Sequence, residues 1–351
     1  MKYLYLGLFL LLISCGSEEN TAASNIDKTT LFQSMSSDKA IPIHIKADLN
    51  AILLRKPTPE KYSGLFSYTD NNGKKRSWKA ALTPRGNMRN KHCLFPPLKL
   101  DVVKADLKAA GFNSTYDDLK MVIPCKDEPI YQDLVLKEYL AYKLYNEVTD
   151  LSFRVQLIDM TLEDSKNQLA TIKGKAFIIE KDDELAQRLN GRILKPSNAS
   201  RDALDAKAFD QMCLFQFMIG NTDWYVYNKH NVKLLAAENY SFPVPVPYDF
   251  DYAGMVDADY ATPHDKIPVK DVKERFYLGP CREKEDLETT FQLFNSKKSS
   301  ILSTCDNFAK ISPSSHQSVS NYIQDFYAIL ENPKQKEDLV VAHCDRHIKM
   351  K

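Results

Sequence analysis

The chain has 351 residues, 44% of them apolar, enough for one large or two ordinary domains with a sizeable core. Lys and Arg number 47 against 46 Asp and Glu, so no global field invites nucleic acid as a partner. Seven cysteines occur without a CxxC pair or a Cys/His ligand spacing, which argues against zinc.

Lys2 supplies a short positive start, and residues 3–13 form an apolar run too short to span about 30 Å of hydrocarbon. The run ends in Leu12-Ile13-Ser14-Cys15, which resembles a bacterial lipobox. On that resemblance residues 1–14 are a lipoprotein signal peptide and Cys15 is the lipidation site, carrying acyl chains such as palmitate. Each buried methylene contributes about 0.8 kcal/mol, so two or three chains hold a domain on a membrane. Residues 15–35 are small and polar at their start and read as a disordered tether. Glu18-Glu19, just after the anchor, resemble the acidic surface-export signal of Bacteroidetes-type lipoproteins. The expected location is the cell envelope, lipid-anchored on the outer membrane or cell surface, with the periplasmic side as the alternative.

Strands come next. Residues 40–49 alternate Ile41, Ile43 and Ile45 on one side, the period of a half-buried strand. Residues 62–82 form a hairpin around Asp70-Asn71-Asn72-Gly73, because Asn and Gly accept positive φ. Residues 94–103 and 120–124 read as two more strands, the first opening on Pro96-Pro97. A helix is expected over 133–148, with Leu136, Leu140, Leu144 and Val148 at a spacing of four and Asp133 as its N-cap. Strands at 153–161 and 174–180 follow. Cys93 and Cys125 lie at strand edges in this half and are expected to pair, since export permits disulfides. Cys213 lies in an apolar helix and reads as a buried thiol.

The remainder is mostly helical, over 202–219, 287–309 and 319–330, with a strand pair over 232–249. The fold class is therefore α+β: a β-rich N-terminal lobe with one main helix over 36–190, and a mostly helical lobe over 191–351.

The chemistry gathers in the second lobe. Asn221-Thr222-Asp223 follows an apolar helix and a break at Gly220. Asn228 and Asn231 come next, and then Tyr248-Asp249-Phe250-Asp251. An Asp to position a hydroxyl, an Asn for a metal and a second Asp for metal and phosphates occur in that order in kinase-type phosphoryl transfer. Arg85-Gly86-Asn87, followed by Leu98-Lys99-Leu100, adds cations and a glycine where backbone can approach a phosphate. Together these stretches resemble the CotH family of atypical spore-coat kinases, and the Asn-x-Asp loop is also similar to that of HipA-type kinases. The resemblance spans about 81–251.

It implies a two-lobe, protein-kinase-like fold that uses ATP or another nucleotide with Mg²⁺, and a hydroxyl on a protein or glycan as acceptor. Asp223 is then the catalytic carboxylate. Asn228 or Asn231, the latter the better parallel, binds metal with Asp249 and Asp251, which share one face of a strand end. Lys99, with Lys91 and Lys120 as rivals, binds phosphates and pairs with Glu138 on the helix. Arg85 and Arg89 could clamp a phosphate or form surface ion pairs. The departures are plain. No Gly-rich loop or Walker motif occurs, and Asp-Phe-Asp stands where Asp-Phe-Gly is usual. ATP is also scarce outside the cell. These departures suit the alternative, a catalytically degenerate kinase-fold binding module at the envelope. The lack of Gly-x-Ser-x-Gly argues against a serine hydrolase.

Overall fold

A computed structural model describes residues 28–54, 60–86 and 88–343. The expected signal peptide, Cys15, the expected tether up to residue 27 and Asn87 lie outside the described residues. Among the described residues no helix is long and apolar enough to cross a membrane.

Seven strands form a closed barrel: β1 (Ile41–Ala47), β2 (Tyr62–Thr69), β3 (Lys75–Pro84), β4 (Leu98–Val102), β5 (Asp118–Val122), β6 (Val155–Asp164) and β7 (Ile172–Ile179). Their order is β1-β2-β3-β4-β5-β7-β6, and the ring closes because β6 pairs parallel to β1, with Ile43 opposite Met160. Alternation fills the interior: Ile41, Ile43 and Ile45 join Leu82, Leu100 and Met121 in one core. The sequence pattern predicts the strands but not the closure, because no local periodicity announces a parallel pair between distant strands. Residues 28–35 are also not tether. Leu31, Phe32 and Met35 are buried, and the Thr30 hydroxyl donates to Glu184 Oε1 at 2.5 Å.

The helices that frame the site and its cores are α1 (Met88–His92), α2 (Pro129–Val148), α3 (Asp182–Arg188), α4 (Ala206–Ile219), α5 (Lys284–Asp306) and α6 (Pro313–Glu331), with shorter ones at Leu49–Leu53, Lys104–Ala109 and Pro333–Lys336. Helix α2 begins at Pro129, where the missing N–H costs nothing, and not at Asp133. Asp133 is buried within the helix, and its carboxylate accepts from the Ser312 N–H at 3.1 Å. A small sheet, ordered β10-β9-β8, comprises β8 (Gly191–Leu194), β9 (Val232–Ala237) and β10 (Val244–Pro247). Neither α3 nor β8 is evident from the sequence, since both are short. Asp205 caps α4 through the Ala208 N–H at 2.9 Å.

The molecule is mixed α+β, with a β-rich N-terminal part and a helical C-terminal part. A second core spans α2 and the C-terminal elements. Tyr139 of α2 packs its ring on Phe177 of β7 and on Phe308 beyond α5, at centroid distances of 5.8 and 5.9 Å. By sequence α2 belongs to the first half, but it shares the core of the second.

Cys93 and Cys125 are joined, with Cα atoms 4.6 Å apart. The bridge fastens the end of α1 to the segment that enters α2. The sequence separation is 32 residues, so removing the bridge in a Cys93→Ala, Cys125→Ala double variant should lower unfolding stability by about 3–4 kcal/mol. Denaturant titration measures this, and a loss under about 1 kcal/mol would show that the bridge constrains little.

Candidate functional site

The loop after α4 is built by its own side chains. Gly220 caps the helix at φ +66°, a conformation that a Cβ strains, and an added Cβ would also meet the Tyr322 hydroxyl at 2.0 Å. Asn221 is buried. Its Oδ1 accepts from the Asp223 N–H at 3.0 Å, while its Nδ2 donates to Gln216 at 3.0 Å. Trp224 Nε1 donates to the Asn221 carbonyl at 3.2 Å, so the indole locks the loop from beneath. Residues 225–230 then turn back in a tight hairpin, Tyr225 and His230 exchanging backbone bonds of 3.0 and 2.9 Å.

That hairpin returns two side chains to Asp223. His230 Nε2 lies 2.9 Å from Asp223 Oδ1, and Asn231 Nδ2 donates to Asp223 Oδ2 at 2.9 Å. The bond to Asp223 raises the His230 pKa above its usual value. Asn231 adopts φ +52°, and its carbonyl receives the Tyr248 N–H at 3.0 Å, which ties the loop to the strand end. With its amide nitrogen engaged by Asp223, Asn231 keeps Oδ1 as a ligand atom.

Asp249 sits at φ +64°, held by its N–H donating to the Tyr142 hydroxyl oxygen at 2.8 Å. Phe250 is fully buried between Tyr142 and Phe215, at centroid distances of 4.7 and 5.6 Å. The aromatic pair fixes the strand end, and Asp249 and Asp251 flank it. Glu138 lies one turn before Tyr142 on α2 and has no exposed surface.

Arg89 connects these acids. Its Nη2 donates to Glu138 Oε2 at 2.5 Å and its Nε to Asp251 Oδ2 at 2.9 Å. Burial works against the Arg89 charge, but Asp251 and Glu138 outweigh it and hold the guanidinium firmly protonated. For Glu138 burial wins. With Asp251 and Asp249 adding to it, the carboxyl is pushed well up despite Arg89. Asp249 is pushed up by burial and by Asp251.

A cleft of about 210 Å³ opens on this group, lined by Arg85, Gly86, Arg89, Asp223, Asn231 and Asp249 among others. Asp251 and His230 also face it. Two further cavities, of about 320 and 250 Å³, lie against Asp223 between its loop and residues 262–267. Asp223 thus borders the cleft and both of these cavities.

Three residues expected from the sequence stand elsewhere or play another part. Lys99 does not pair with Glu138. It lies on the outer face of β4 opposite Thr83 and Lys120, and its Nζ is 2.7 Å from Asp101 two residues on. Arg89 takes the place beside Glu138. It is buried rather than a surface residue, and its Nε and Nη2 are taken by Asp251 and Glu138 rather than left for a phosphate. Asn228 lies at the hairpin tip, accepts from the His230 N–H at 3.1 Å, and faces the 320 Å³ cavity rather than the cleft. Sequence reading overlooked His230 and Tyr142. His230 stands beside Asn231 in a run of polar residues, and Tyr142 has the spacing of one more core tyrosine on α2.

No family model matches this chain, and no curated protein does. Among solved structures, the Helicobacter pylori proinflammatory kinase CtkA is similar at 13% identity, over 70% of this chain and 92% of that one, with a TM-score of 0.40. A likeness that loose carries no weight for the activity of this chain.

Proposed function

We propose that the chain is an exported, lipid-anchored protein of kinase-like fold that transfers a phosphoryl group from a Mg-nucleotide to a hydroxyl on a protein or glycan. The observation that supports it is the convergence of Asp223, Asn231, Asp249 and Asp251 with Arg85 on one cleft, although they come from separate elements. The donor set suits magnesium, being all oxygen: two carboxylates and the free Oδ1 of Asn231. Asp249, Asp251 and Asn231 would hold such an ion, which would supply charge neutralisation at the phosphates. Arg85 and the backbone at Gly86, which adopts φ +84°, face the same space and suit a phosphate chain.

The two cavities between the Asp223 loop and residues 262–267 offer acceptor space, and the cleft lined by Arg85 and Asp249 offers nucleotide space. Asp223 orients the acceptor O–H and receives that proton as the new P–O bond forms and the bond to the departing nucleoside diphosphate breaks. His230 and Asn231 fix the direction of the carboxylate. The rival reading, a binding module without turnover, is favoured by one observation: Arg89 already occupies an oxygen of Asp251. Nucleotide affinity separates the two. Mg-ATP should raise the thermal midpoint of the purified protein, and Asp249→Asn should abolish the rise; no shift in the wild type would remove the nucleotide from the proposal.

A further inference from the structure

We infer that Glu138, Asp249 and Asp251 form a site for one hard divalent cation that fills without nucleotide, with Glu138 of α2 as its third carboxylate ligand. It shares two ligands with the phosphoryl-transfer reading but does not rest on the nucleotide.

One oxygen from each of the three carboxylates lies within 4.8 Å of the others. Oxygens on opposite sides of a calcium ion stand about 4.8 Å apart, and about 4.2 Å for magnesium or a similar small ion, so either fits with little adjustment. The cluster alone would be weak evidence, since acids often crowd without an ion. Glu138 supplies the independent observation. It is wholly buried, and its Oε1 has no hydrogen-bond partner among the described residues. Leaving a carboxylate oxygen unsatisfied in the interior is costly, and a cation is the partner that the surroundings lack.

Arg89 does not fill that need. Its two bonds reach Oε2 of Glu138 and Oδ2 of Asp251, leaving the other oxygens of those groups and all of Asp249 to be balanced. One guanidinium bonded to Oε2 and Oδ2 does not reach Glu138 Oε1, the oxygen left unsatisfied among the described residues. The positions are also set in advance. Tyr142, one turn along α2 from Glu138, holds the Asp249 backbone, so a single helix fixes the spacing of two ligands. Access exists, because Asp249 and Asp251 border the open cleft.

The test uses Mn²⁺ as probe on the purified protein, with no nucleotide, and counts free ion by electron paramagnetic resonance. One Mn²⁺ per chain is expected, displaced by Mg²⁺ or Ca²⁺. Glu138→Gln should weaken it at least tenfold, while Glu147→Gln, farther along the same helix, should not. Wild-type protein that takes up no Mn²⁺ overturns the inference, as does a Glu138→Gln variant that binds as the wild type does. Should that variant fail to fold, wild-type crystals soaked in Mn²⁺ decide. An anomalous peak bonded to the Glu138 carboxylate supports the site, and a peak elsewhere or none overturns it. Binding of Mn²⁺ without any later binding of ATP would sustain this site and remove the phosphoryl-transfer reading.

Discussion

Asp223→Asn is expected to lower kcat for phosphoryl transfer by roughly 10²- to 10⁴-fold. The substitution keeps the size of the side chain and leaves an oxygen to accept from His230 or Asn231, so the loop should hold its shape. What goes is the carboxylate that directs the acceptor hydroxyl and takes its proton. Asn231, Asp249 and Arg85 are untouched, so Mg-nucleotide affinity should change by no more than about twofold, the pattern of a contact that matters only in the transition state. Single-turnover transfer and nucleotide binding, measured on the same preparation, give the two numbers. A variant that binds nucleotide and transfers at the wild-type rate would remove Asp223 from the chemistry.

Arg89→Met should destabilise the fold by about 3–5 kcal/mol, the range seen when one partner of a buried ion pair is deleted. Arg89 is 9% exposed, and its guanidinium bonds two acids from different elements, Glu138 on α2 and Asp251 beyond Phe250. Methionine fills much of the volume, so the loss measures charge rather than a cavity. Glu138 and Asp251 are left facing each other and Asp249 without a cation. Adding Glu138→Gln to Arg89→Met should recover a good part of the loss, because one of the stranded charges is gone. Urea titration of the single and double variants tests the coupling. A single-variant cost under about 1 kcal/mol would mean that water or solvent ions reach these acids freely.

Much of this site is legible in the sequence, and the exceptions have physical causes. Asp223, Asn231, Asp249 and Asp251 can be picked out because each sits beside an element boundary that local pattern reveals. Asn228 stands at the spacing familiar from kinase loops, but the exchange of bonds between Tyr225 and His230 folds it outward. Lys99 shows how far alternation goes. It correctly places the lysine opposite Leu98 and Leu100, yet cannot say that the outer face of the strand meets Asp101 instead of α2. The partner of Glu138 depends on where a five-residue helix docks, and that is decided by tertiary packing and by the Cys93–Cys125 link. Barrel closure is invisible for the same reason: nothing near Ile43 in the chain points to Met160.

That closure governs how the molecule assembles. β1 finds one neighbour, β2, soon after synthesis, but its other edge stays open until Ile158 and its neighbours in β6 have been made. Until then the half-built ring exposes a strand able to recruit another chain. Distant pairing of this kind is slow, because chain entropy is lost before the contacts reward it. Helix α2 lies between the waiting strand and its mate. Local contacts form faster than distant ones, so α2 is expected to be helical, with Glu138 and Tyr142 already in line, before the last seam of the barrel is sealed.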